Sequence, residues 1–135
     1  MDGSRFDDLT RRSNASKLLD LSDAARLGGD SQAALAALRA LESRFPSAAL
    51  SMDSDFLMGR LHAQRGENGE ATRRLTEYIE RGDGSRYAVE ALGRLVELHS
   101  KSGNEAQARA LARRYLDRAP SGPYHRLAES VLDQQ

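Results

Sequence analysis

The sequence predicts an all-α fold, a right-handed α-solenoid of about seven helices stacked as hairpins. Composition is the first reason. The 135 residues include 20 Ala and 19 Leu but only three Val, one Ile and three Thr. Ala and Leu lose little entropy in a helix, and the β-branched side chains that suit a pleated sheet are nearly absent. Repetition is the second reason. Gly29, Gly66 and Gly103 stand 37 residues apart, and Ala34, Ala71 and Ala108 fall in the same register. So do Arg44, Arg81 and Arg118, and then Leu21, Met58, Leu95 and Leu132. Pro46 and Pro120 bracket Asp83 at the equivalent place, and Leu50, Tyr87 and Tyr124 align after it. One helical hairpin cannot bury its apolar face alone, so hairpins in register must share a core with their neighbours.

The elements follow in order. Residues 1–13 read as a polar N-terminal segment, with Phe6 and Leu9 marking either the end of a preceding helix whose partner is missing or a short capping helix that frays, and Met1–Ser4 an addition foreign to the domain. The first unit, 14–50, carries the stripes Leu18, Leu21, Ala24 and Ala25, then Ala34, Leu38 and Leu41, and closes at Phe45-Pro46. In the second, 51–87, the stripe Phe56, Leu57, Met58, Leu61 and His62 stops at Gly66, a residue free to take the left-handed conformation that ends a helix. After the turn at Glu67–Glu70, Ala71, Leu75, Tyr78 and Ile79 resume at helical spacing and end at Gly82–Gly84. The third unit, 88–124, repeats this with Leu92, Leu95, Leu98 and His99, the turn Gly103-Asn104, and Ala108, Leu111, Ala112, Tyr115 and Leu116 before Pro120. A terminal helix over 124–133 leaves Tyr124, Leu127, Val131 and Leu132 as an exposed half-hairpin, a surface for self-association. The small Ala34, Ala71 and Ala108 open each second helix where the paired helices must cross closely.

Charge and cysteine content exclude several classes of function. The 20 basic and 20 acidic side chains cancel, so no net field would gather nucleic-acid phosphates or an anionic membrane. Zero Cys removes disulfides, thiolate nucleophiles and Cys-based metal sites. No apolar run approaches the ~20 residues of a membrane span, and the N-terminus lacks the apolar middle of a signal peptide, so the chain is expected to be soluble and carries no address. The cations are 18 Arg and two Lys, a skew typical of GC-rich coding sequence.

No constellation points to catalysis, a cofactor or a metal. His62 and His99 occupy the same place on successive first helices with no Cys or carboxylate cluster beside them, and are expected to be packed and hydrogen-bonded. Arg44, Arg81 and Arg118 end each second helix, where a cation meets the negative end of the helix dipole. Arg73-Arg74 and Arg113-Arg114 read as a solvated convex face with Glu70, Glu77 and Glu80 in pairing range. The Gly-rich stretches at 66–69 and 82–85 follow no strand and lack the Gly-Lys-Ser/Thr of a nucleotide loop, so they are turns.

Across residues 14–135 the chain resembles the tetratricopeptide repeat family. The carriers are Gly59 followed by Leu61-His62, the Gly66-Glu67 turn, Ala71, Leu75 and Tyr78, and in the third unit Leu95, Gly103, Ala108, Tyr115 and Pro120. Asp55 stands where that motif has a large apolar residue, Ser22 and Val96 replace its small glycine, and the period is 37 against the usual 34. The extra residues fall after Ser47-Ala48, Gly84-Ser85 and Ser121-Gly122, ahead of each first helix. The longer period is similar to repeats of bacterial envelope proteins, the outer-membrane assembly lipoproteins and the periplasmic cell-division coordinator. The segments Leu18–Gly29 and Tyr115–Pro120 resemble the C-terminal region of regulators like the iron-dicitrate sensor anti-sigma proteins.

The resemblance implies a noncatalytic scaffold that holds a peptide or protein domain in its concave groove, or else a C-terminal sensing or oligomerisation module of an envelope regulator, periplasmic if so. In such repeats the first helices line the groove. Their outward positions here are Leu19, Asp23 and Arg26, then Phe56, Arg60 and Gln64, then Glu90, Glu97 and Lys101. Phe56 is either the anchor, because a large aromatic in a groove concentrates binding energy, or packs on the longer start of the neighbouring helix.

Overall fold

A computed structural model describes residues 3–47, 49–82 and 84–133. Met1, Asp2, Ala48 and Asp83 lie outside the described residues, as do the side chains of Phe6, Leu9 and Leu50. Seven α-helices and no strand occur among the described residues: α1 Gly3–Leu27, α2 Ser31–Arg44, α3 Ser54–Gln64, α4 Asn68–Arg81, α5 Ala88–Lys101, α6 Glu105–Arg118 and α7 His125–Asp133. A short 3₁₀ segment, Ala49–Asp53, leads into α3. α1 runs for 25 residues from Gly3, through the polar N-terminal segment and into the first unit.

Each hairpin turn is built the same way. Gly29, Gly66 and Gly103 have φ of 84°, 76° and 78°, the left-handed region that side chains with a Cβ avoid. With the backbone reversed there, the N–H of Asp30, Glu67 and Asn104 donates to the carbonyl of Ala25, His62 and His99 at 2.8, 2.9 and 2.9 Å. A shorter loop closes inside it, Gly29 to Arg26, Gly66 to Ala63 and Gly103 to Ser100, so the carbonyls left over at each helix end are satisfied. Pairing α1 with α2, α3 with α4, and α5 with α6 then follows from the turn alone.

The crossings are as tight as the small residues promise. Ala34, Ala71 and Ala108 are fully buried. A Cβ on Gly59 would come within 2.8 Å of Leu75 Cγ, and in the first unit Ser22 fills the equivalent place, with its hydroxyl donating to Ala34 O at 3.1 Å. One continuous apolar cluster runs from Ala15 to Val131 through every helix, so the hairpins stack as an α-solenoid. The apolar stripe of α7 is turned inward and not left open: Val131 is buried, and Leu127, Leu132 and Tyr124 are partly buried against the core. α7 therefore caps α6, which removes the feature that motivated self-association there.

The loops before α5 and α7 are pinned by a tyrosine. Tyr78 Oη accepts from the Tyr87 N–H at 3.1 Å, and 37 residues on Tyr115 Oη accepts from the Tyr124 N–H at 2.9 Å. These bonds fix where the extra residues of the long period place Tyr87 and Tyr124.

Candidate functional site: a groove along the first helices

Charges from three first helices converge on Arg60. It sits among Asp23 and Arg26 of α1 and Glu90 and Arg94 of α5, close enough for each to act on its ionisation. Burial, followed by the neighbouring Arg26, holds its pKa below the ordinary arginine value. Around it opens a cavity of about 240 Å³ lined by Leu19, Asp23 and Arg26 of α1, Leu57 and Arg60 of α3, and Asp53, Arg86 and Tyr87 from the segments before α3 and α5.

Its polar atoms are unevenly satisfied. Tyr78 Oη donates to Asp53 Oδ1 at 2.8 Å, which engages one oxygen of that carboxylate. The Nε–H groups of Arg26 and Arg60 are buried without a hydrogen-bond partner within the protein. Among the described residues, no ion pair forms on Arg26, Arg60 or Arg86. Arg60 rests its guanidinium 5.8 Å from the centre of the Phe56 ring and Arg86 5.1 Å from that of Tyr87, contacts that position a cation without neutralising it.

Four of the nine positions read from the sequence, Leu19, Asp23, Arg26 and Arg60, are brought together in this cavity. Glu90 lines a second one, while Gln64, Glu97 and Lys101 line neither. Glu97 and Lys101 pair with each other at 3.4 Å, and Glu90 with Arg94 at 2.8 Å. Phe56 is a correction. Its ring is 0% exposed, stacked on Tyr87 with centroids 4.5 Å apart and planes 8° from parallel, and tilted against Tyr78 at 5.7 Å. It supports the groove from beneath and offers no surface to a partner, because the pinned loop before α5 lays Tyr87 over it.

Asp53, Leu57, Arg86 and Tyr87 belong to the site without having been expected there. The available signal was the alignment of Leu50, Tyr87 and Tyr124 beside the inserted residues: a longer loop ahead of each first helix must cover something.

The second cavity, about 310 Å³, is lined by Val89, Glu90, Tyr115, Pro123 and Tyr124. Tyr124 meets Tyr115 edge-on at 5.9 Å and lies directly against Gly93, the residue at the register position of Phe56.

The histidines belong elsewhere. His62 is buried with Nδ1 2.9 Å from Glu67 Oε1, and His99 Nδ1 lies 3.3 Å from Asn104 Nδ2, each reaching the turn after its own helix. Arg74 is a further correction: it is only 19% exposed and donates to the fully buried Asp55 at 2.7 Å and to Glu42 at 3.3 Å, while Arg73 alone takes the solvated pairs with Glu70 and Glu77. No group of three or more His, Asp or Glu side chains among the described residues is arranged to hold a metal. No described helix is long and apolar enough to cross a membrane.

The tetratricopeptide repeat family matches residues 18–48, the first hairpin. Among solved structures, the chain is similar to a tetratricopeptide repeat protein from Parabacteroides merdae ATCC 43184, with a TM-score of 0.72 at 15% identity over 90% of this chain. It spans 59% of the length of that protein's chain. No curated protein is similar enough to count as a match. The shared feature is the fold, a stack of helical hairpins of the tetratricopeptide kind, and repeats of that kind are generally modules of protein interaction.

Proposed function

We propose that the chain is a noncatalytic scaffold that holds a peptide or protein segment of a partner in the groove along α1, α3 and α5. The observation that carries this reading is the cavity around Arg60, where donors of Arg26 and Arg60 are buried without partners inside the protein. A buried donor left unsatisfied costs about 1–3 kcal/mol, so a ligand supplying acceptors recovers that free energy on binding. Solenoids supply such surfaces because neighbouring repeats present equivalent side chains in a row. The mixed charges of the rim, with Glu90–Arg94 and Glu97–Lys101 already paired, favour a polar contact of moderate affinity.

The test is to select binders from a random peptide library and map their contacts by NMR shift perturbation. Perturbations at Asp23, Arg26, Arg60 and Tyr87 are expected. Selected peptides that instead perturb Arg73, Glu77 and Arg113, on the second helices, would overturn the placement.

A further inference from the structure

The two cavities share three register positions. Asp53, Arg86 and Tyr87 line the first, and the residues 37 positions later, Glu90, Pro123 and Tyr124, line the second. In both, a tyrosine on the second helix pins the loop by accepting a backbone N–H, and the pinned tyrosine ring forms a wall. The chemistry differs where the register substitutes. Arg86 becomes Pro123. Phe56, which lifts Tyr87 off the backbone, becomes Gly93, onto which Tyr124 falls.

The first pocket holds three arginines, Arg26, Arg60 and Arg86, against Asp23 and Asp53. One oxygen of Asp53 already accepts from Tyr78. The surplus is positive, and two of its guanidiniums keep an Nε–H without an acceptor. The second pocket has mostly apolar walls, and two of its polar groups are engaged: Glu90 with Arg94, and Tyr115 Oη with the Tyr124 N–H.

We propose that the groove recognises an extended segment of a partner protein carrying an acidic side chain for the arginine pocket and an apolar side chain for the tyrosine pocket one repeat away. This rests on the reading of the groove as a peptide site and names what it selects. A carboxylate suits the first pocket because it accepts from several guanidinium N–H groups at once, and the partly desolvated setting strengthens those bonds. The second pocket discriminates by burial, since an apolar side chain there covers Val89 and the faces of Pro123 and Tyr124 without leaving a polar atom unpaired. Neutral overall charge is no obstacle, because the selectivity comes from a local surplus.

The experiment uses fluorescein-labelled peptides with a pair of aspartates, a short glycine spacer and a phenylalanine, synthesised in both orders, and anisotropy titration against the whole chain. One order is expected to bind, about tenfold tighter than its asparagine counterpart. Raising salt should weaken the aspartate peptide and leave the asparagine one nearly unchanged. The double variant Arg26→Gln/Arg86→Gln, which alters one half-buried and one exposed side chain, should lose the preference for aspartate while keeping that for phenylalanine over alanine. Val89→Ser should do the reverse. Thermal melts of both variants report whether the fold is kept. Equal affinity for aspartate and asparagine peptides in both orders overturns the proposal, as does binding to neither. If peptides selected from the random library map to the groove but are neutral and polar, the scaffold reading stands and this specificity falls.

Discussion

The joint between the first and second hairpins and the joint between the second and third share one backbone plan, yet they are cemented by opposite chemistry. At the first, Glu42, Ser54, Asp55 and Arg74 meet: Arg74 donates to Asp55 at 2.7 Å and to Glu42 at 3.3 Å, and the Ser54 hydroxyl lies 2.8 Å from Glu42. Arg81 Nη2 approaches the other Asp55 oxygen at 2.8 Å, close enough for attraction but not aligned as a hydrogen bond. At the second joint the positions 37 residues on are Ile79, Ala91, Leu92 and Leu111, all buried in the apolar cluster. A repeat therefore specifies geometry and leaves the kind of contact open. An apolar joint gains stability from burial without regard to partner, whereas an ionic one discriminates, since only a matched neighbour satisfies the fully buried Asp55. Asp53 of the arginine cavity is held by Tyr78, which lies on the same helix as Arg74 of the ionic joint.

The largest expected effect comes from breaking the ionic joint on one side. Asp55→Leu leaves Arg74 only its longer contact with Glu42 and should cost about 2–4 kcal/mol, read as a fall in the urea midpoint at unchanged slope. Converting the whole joint to the chemistry of its counterpart, with Glu42→Ile, Ser54→Ala, Asp55→Leu and Arg74→Leu together, should reverse that loss and reach parity or a gain of about 1–4 kcal/mol. A quadruple variant as unstable as the single one would mean that the ions hold the joint in a way apolar residues cannot.

A smaller effect separates the two tyrosine walls. A Cβ at Gly93 would run into the Tyr124 ring, whose backbone is anchored by the N–H bond to Tyr115, so that the ring must rotate away. Gly93→Ala should therefore cost about 1–3 kcal/mol by overpacking and change the near-ultraviolet tyrosine signal. Gly82→Ala, where the nearest side-chain atom is 3.9 Å from the new Cβ, is the control and should move neither reading. If both substitutions are silent, the apolar pocket is softer than its pinned loop implies.

Periodicity made the frame legible. The spacing of Gly29, Gly66 and Gly103 located three turns, and Ala34, Ala71 and Ala108 located three crossings, because backbone reversal and close approach each admit few residue types. The site was half legible for the same reason. Leu19, Asp23, Arg26 and Arg60 lie on helices, where position fixes direction, while Arg86 and Tyr87 lie in a loop whose path depends on a hydrogen bond to Tyr78. Phe56 allows two readings from sequence, anchor or packing residue, because a helical face looks open until something covers it, and Tyr87 does. Arg74 was misread beside Arg73, although the register held the clue. Its counterpart is Leu111, that of Asp55 is Leu92, and two polar residues at apolar positions are best reconciled by pairing with each other.

The smallest expected effect distinguishes the two histidines, His62 and His99, which end equivalent helices. Partial burial lowers the His99 pKa below its ordinary 6.5, since desolvation penalises the imidazolium. The unfolded chain then binds the proton more readily than the folded one. Stability from this group is complete above about pH 6.5 and falls as the pH drops below it, levelling off once the lowered folded value is passed. The second hairpin has a different acid-sensitive group. Glu67 is held below its ordinary 4.5 chiefly by the hydrogen bond with His62, so its contribution persists until the pH approaches that value and is lost further down. Thermal melts between pH 7.5 and 5 should thus show a shallow decline that His99→Gln removes, while Glu67→Gln leaves that stretch unchanged and flattens only the more acidic limb. A decline that survives His99→Gln would assign the proton uptake to another group.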